Sequence, residues 1–139
     1  MTEDVFRECY GKLEALFAGH GGLRNFLANQ EPGYLRLKSE GYMDLSVDRL
    51  GPDRIAMAHN FIQNGDLMAD PDMEVKVDVA ARTAFGMAYQ LDGLGVYQAA
   101  EDRPGHVNAE LRRELTSFLQ KWLKNMEEQG FYKIGRGIK

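Results

Sequence analysis

Apolar residues recur at three- and four-residue spacing at the start of the chain. Val5, Phe6, Cys9, Leu13, Leu16 and Phe17 fall along one side of an amphipathic helix. Thr2 is an N-cap residue, and Glu3 and Asp4 suit the positive end of the helix dipole. Gly19, Gly21 and Gly22 end the pattern, Leu23–Leu27 adds a helical turn, and Glu31-Pro32-Gly33 breaks the chain.

From Tyr34 to Gln98 the period falls to two. Leu35 and Leu37 alternate with Tyr34, Arg36 and Lys38, and Met43, Leu45 and Val47 alternate with Tyr42, Asp44, Ser46 and Asp48. Gly51-Pro52-Asp53 turns the chain into Ile55–His59, and Met73, Val75, Val77 and Val79 alternate with Glu74, Lys76 and Asp78. Thr83–Gln90 and Gly95–Gln98 complete the set. Such alternation with short connections predicts antiparallel strands with one wet face, because parallel pairing needs crossover helices for which there is no room. Asn64-Gly65 and Asp92-Gly93 are hairpin turns by residue type, and Asp70-Pro71 reads as a further break in the strands.

After Glu101-Asp102-Arg103-Pro104-Gly105 the helical period returns. Asn108 is the N-cap of a long helix whose Leu111, Leu115, Phe118, Leu119, Trp122, Leu123 and Met126 share a face, and Gly130 stops it. The predicted architecture is α+β: an N-terminal helix, a five- to six-stranded antiparallel meander, and a long C-terminal helix packed on one face of the sheet. The chain, 1–139, reads as a single domain with a flexible basic tail from about residue 131, carrying Lys133, Arg136 and Lys139.

Composition narrows the function. A net charge of −4 argues against a general nucleic-acid binder, whose phosphate contacts need a basic face. Cys9 is the sole cysteine, so no intramolecular disulfide forms, and its place in an apolar stripe makes it a small buried hydrophobe. No apolar run reaches the roughly 18 residues of a membrane span. The acidic start lacks a signal-peptide layout, so a cytoplasmic protein is expected.

Residues 59–74 concentrate the candidate chemistry around His59, Asn64, Asp66, Asp70, Asp72 and Glu74. Asp70, Asp72 and Glu74 start like a calcium loop, but Val75 stands where the sharp-turn glycine belongs and Ala81 where the last glutamate belongs. Asp66 with Glu74-Val75-Lys76 matches the letters of a metal-dependent nuclease, two acids for the ion and a lysine for a water or phosphate. The spacing is cramped, and Glu74 and Lys76 share a wet strand face without needing a function. His59, His20 and His106 lack zinc-ligand spacing, so His59 is expected to be held by Asp66 or a neighbouring carbonyl. A second polar group, Tyr89-Gln90 and Tyr97-Gln98 about Asp92, offers exposed tyrosines for protein contact.

Two stretches carry a resemblance: Gln63-Asn64-Gly65-Asp66-Leu67-Met68-x-Asp70-Pro71-x-Met73, then Tyr89-Gln90-x-Asp92-x-x-Gly95-x-Tyr97-Gln98. Together they resemble an uncharacterised family of small proteins, described only as a domain of unknown function and carried by phages, plasmids and conjugative elements. The strand order and Phe118-Leu119-x-x-Trp122-Leu123 are similar, more weakly, to a second uncharacterised bacterial family. The resemblance implies an accessory role in mobile-element biology, including action against host defence, and assigns no catalytic residue.

The leading expectation is a non-enzymatic, macromolecule-binding accessory protein that acts as a protein-binding inhibitor. Its expected contact residues are His59, Asn64, Asp66, Asp70, Tyr89, Asp92 and Tyr97. No cofactor, metal, membrane or nucleic-acid partner is expected, and a homodimer can form through an exposed edge strand. The alternative is a divalent-metal nuclease using Asp66, Glu74 and Lys76.

Overall fold

The computed structural model describes residues 2–28, 33–63, 66–91 and 96–132, with side chains at 4–28, 33–59, 71–90, 97–101 and 103–132. α1 spans Thr2–Phe17, a 3-10 turn follows at Ala18–His20, and α2 spans Leu23–Ala28. Gly21 and Gly22, at φ 96° and 94°, make the reversal between them, a conformation that a Cβ would strain.

Six strands follow: β1 (Tyr34–Leu37), β2 (Asp44–Gly51), β3 (Arg54–Gln63), β4 (Asp66–Asp78), β5 (Thr83–Leu91) and β6 (Val96–Ala99). They lie in the order β1-β2-β3-β4-β5-β6 with every pair antiparallel, the meander that the alternation predicts. A small ribbon, β7 (Glu101–Arg103) with β8 (His106–Val107), leads into α3 (Ala109–Glu128). The sequence pattern does not separate that ribbon, because two or three residues are too few to show a period.

One sheet face is dry. Leu45, Val47, Ile55, Met57, Met73, Val75, Val77 and Ala84 are at most 1% exposed and join a single apolar cluster. That cluster takes Cys9, Leu13, Leu16 and Phe17 from α1 and Leu119, Leu123 and Met126 from α3. Both helices therefore cover the same face, and at about 1.5–3 kcal/mol for each fully buried large side chain this burial is the main source of stability.

The ends of α3 are set locally. The Asn108 side chain accepts the Leu111 N–H at 3.1 Å, filling an otherwise orphan donor. At the other end Gly130 has φ 95°. Its N–H donates to the Glu127 carbonyl at 3.2 Å, and the Phe131 N–H to the Met126 carbonyl at 3.0 Å. This Schellman closure drives Phe131 into the core, where it is 2% exposed. The expected tail therefore does not begin at 131: Phe131 is core and Tyr132 packs against it. The basic residues Lys133, Arg136 and Lys139 lie outside the described residues.

Asp70-Pro71 is a second correction, because β4 runs through the pair instead of breaking there. Ala58 faces Asp72 and Asn60 faces Ala69, so His59 alone stands opposite both Asp70 and Pro71. Proline cannot donate to a ladder, and a bulge is the place within a sheet that tolerates it. The expected turn at Asn64-Gly65 lies outside the described residues, although β3 and β4 are paired up to Gln63 and Asp66 on either side of it.

Candidate functional site

Among the described residues, no helix covers the outer face of the sheet, and the residues of that face follow from the register. One row crosses five strands as Ser46, Ala58, Asp72, Gln90 and Tyr97. The next row is Asp48, Ala56, Glu74, Ala88 and Ala99. Alanines in the middle of both rows lower the surface between polar neighbours. The result is a depression of about 230 Å³, lined by Ala56 and Ala88 with Asp72, Glu74, Gln90 and Tyr97 among its walls.

Charge on this face is organised around Arg54, at the start of β3. Its guanidinium lies 3.3 Å from Glu74 Oε1 and 2.6 Å from Glu101 Oε1, tying β3 to β4 and to the ribbon. The other Glu101 oxygen accepts the Gly105 N–H at 3.1 Å. Arg54, followed by that N–H, holds the Glu101 carboxyl below its ordinary range. Glu74 therefore sits in an ion-pair network at the margin of the depression.

The expected contact residues divide. Tyr97 is 66% exposed on the outer face, beside Gln90. Asp66 and Asp70 have their main chain in β4, with side chains outside the described set, and Asn64 and Asp92 lie outside the described residues altogether. Tyr89, expected to be exposed, is half-buried on the inner face, its ring 4.9 Å edge-on from Phe118. The reason is a bulge. Ala88 faces Glu74 whereas Gly86 faces Val75, so Met87 is an extra residue in β5 that switches the faces on either side of it.

His59 is also on the inner face and only 8% exposed. Its ring lies 5.5 Å from Trp122 and 5.6 Å from Phe131, centroid to centroid. Burial lowers its pKa, against the opposing pull of the Asp44 and Met43 main chain. It is thus packed between rings under α3, its Nδ1 buried without a hydrogen-bond partner among the described residues, and does not belong to the outer surface with Asp72 and Tyr97. Cys9 is fully buried, and its thiol reaches the Thr116 carbonyl at 3.6 Å. Burial, with Glu8 next, pushes that thiol up to about 12.

The nuclease letters fall on one strand. Asp66 and Glu74 are eight positions apart in β4, a main-chain separation of roughly 25 Å at about 3.3 Å per residue. A shared ion needs oxygens about 2–2.6 Å from it, so this separation lends the alternative no support. Among the described residues, no three His, Cys, Asp or Glu side chains converge as a metal site.

Sequence reasoning named the tyrosines and acids, placed Gln90 in the second polar group without making it a contact residue, and missed the alanine floor. The signal was present: Ala56 and Ala58 occupy the wet positions of β3, where polar residues are the norm.

These features define a small α+β protein, a six-stranded antiparallel meander backed by helices on one face, with no helix on the other among the described residues. The chain belongs to the family described as a domain of unknown function, DUF6908, whose model matches residues 12–132. No curated protein and no solved structure matches it. Among the described residues, no helix is long and apolar enough to cross a membrane.

Proposed function

We propose that the protein is a non-enzymatic binding protein that engages a protein partner through the outer face of its sheet. The observation that carries this reading is the meeting of the two polar stretches. Asp72 and Glu74 from one, and Gln90 and Tyr97 from the other, line the same depression. At about 230 Å³ this hollow falls below the roughly 300–1,000 Å³ usual for small-molecule sites and suits one inserted side chain of a larger surface. An exposed tyrosine at its edge offers large contact area for two lost torsions, the economy that makes Tyr common among binding hot spots. The resemblance to proteins of mobile elements supports an accessory role, with an inhibitor of host defence as the reading of its partner's class.

The test is affinity capture from an extract of the source cells, using the wild-type protein and a variant with Asp72→Ala, Gln90→Ala and Tyr97→Ala together. A partner held by the wild type and lost by the folded variant is the expected result. Equal retention by both contradicts the proposal.

A further inference from the structure

The two edges of the sheet differ. At the β1 edge Arg36 and the adjacent Lys38 approach Asp44 at 3.6 and 3.8 Å, placing charge along that border. The opposite edge, β6, reads Val-Tyr-Gln-Ala, with neither a charge nor a proline. Charged side chains and proline are the usual guards against edge pairing.

The hydrogen-bond phase of β6 is fixed by its end. The Ala100 N–H donates to the Met87 carbonyl at 2.7 Å, in line with the β5–β6 register. Bonded and non-bonded pairs alternate in an antiparallel ladder, so Gln98 and Val96 turn their main-chain groups toward β5. Tyr97 and Ala99 turn theirs outward, where β5 is the only strand paired with β6 among the described residues.

From this we infer that β6 is a self-pairing edge, and that its occupant is the β6 strand of a second copy of the chain. The twofold axis passes between the two Gln98 residues. That register sets Tyr97 opposite Ala99 of the other copy and Ala99 opposite its Tyr97, using both outward-facing residues of each strand. Large then meets small on the outer face, while the two Gln98 amides, each donor and acceptor, meet on the other. Other registers leave outward groups unpaired or set tyrosine against tyrosine. The sheet continues across the axis as twelve strands, with both outer faces on the same side. A four-residue strand contact buries far less than the roughly 800 Å² per partner of a standard interface, so the dimer is weak and concentration-dependent. The inference stands on the edge alone and does not require the partner-binding reading of the outer face.

Sedimentation of the full chain from about 1 μM to about 1 mM tests it, that range bracketing weak association. The wild type should gain mass with concentration, and Gln98→Lys, which sets two ammonium groups against each other, should remain monomeric with an unchanged far-UV spectrum. Gln98→Cys supplies a register test that does not depend on the strength of the dimer. Non-hydrogen-bonded antiparallel pairs stand about 4.5 Å apart at Cα, within disulfide range, so mild oxidant should cross-link Gln98→Cys much faster than Tyr97→Cys. A wild type that stays monomeric throughout overturns the inference. So do association by Gln98→Lys equal to wild type, or equal cross-linking at the two positions.

Discussion

His59 shows how one residue's surroundings convert into a measurable dependence. Its ring lies near Trp122 and Phe131, and burial holds its folded pKa below the ordinary 6.5. Above that value both folded and unfolded chains carry a neutral ring, and its contribution to stability is whole. As pH falls below 6.5 the unfolded chain takes the proton first, so stability drops until the folded pKa is passed. Denaturant unfolding of wild type and His59→Leu from pH 8 to 5 should show this extra loss in the wild type alone. Parallel curves contradict the account. Cys9 gives a simpler case: its thiol, pushed up to about 12 by burial, should resist alkylation at pH 8 in the native protein and react once denaturant is added. Reaction in the folded state as fast as for a free thiol contradicts that reading.

At the scale of elements, β5 and α3 approach each other closely at Gly86. A Cβ on Gly86 would lie 2.8 Å from both the carbon and the oxygen of the Leu115 carbonyl group, and 3.0 Å from the Met73 methyl. The Gly86 N–H donates to Thr116 Oγ1 at 2.9 Å, while that hydroxyl donates to the Arg112 carbonyl at 2.7 Å. Gly86→Ala must push the helix main chain away and should cost about 1–3 kcal/mol or more of stability. Gly11→Ala, in α1 with nothing within 4 Å, should instead stabilise by about 0.5–1 kcal/mol. Opposite signs in chemical denaturation check the pair, and a neutral Gly86→Ala contradicts the packing. The turn from Gly130 to Phe131 belongs to the same scale, since a glycine that ends a helix there also delivers a ring to the core beside His59.

Across the whole molecule, the periods of two and 3.6 made the fold class, the meander and the covering helices legible in the sequence. Asn108 and Gly130 marked the ends of the last helix because their chemistry is local. The faces of β5 were not legible. With Met87 in plain alternation, and no bulge, Gly86 and Ala88 would share a face and Tyr89 would point to solvent, and no residue type announces that bulge. Pro71 had the opposite problem: it signalled an interruption but not its form, because a bulge opposite one residue and a chain break ask the same of proline. The depression on the outer face depends on registers among β3, β4, β5 and β6, which single-strand patterns do not contain.

The outer face of the sheet, and not the helical one, is the proposed protein-binding surface. Its most direct test is the dissociation constant of the captured partner for three proteins: wild type, the Asp72, Gln90 and Tyr97 alanine variant, and Lys121→Ala with Lys124→Ala on the exposed side of α3. The face variant should bind at least about tenfold more weakly, a loss of about 1.4 kcal/mol, while the helix variant matches the wild type. An unchanged constant for the face variant, or a loss confined to the helix variant, would contradict the account.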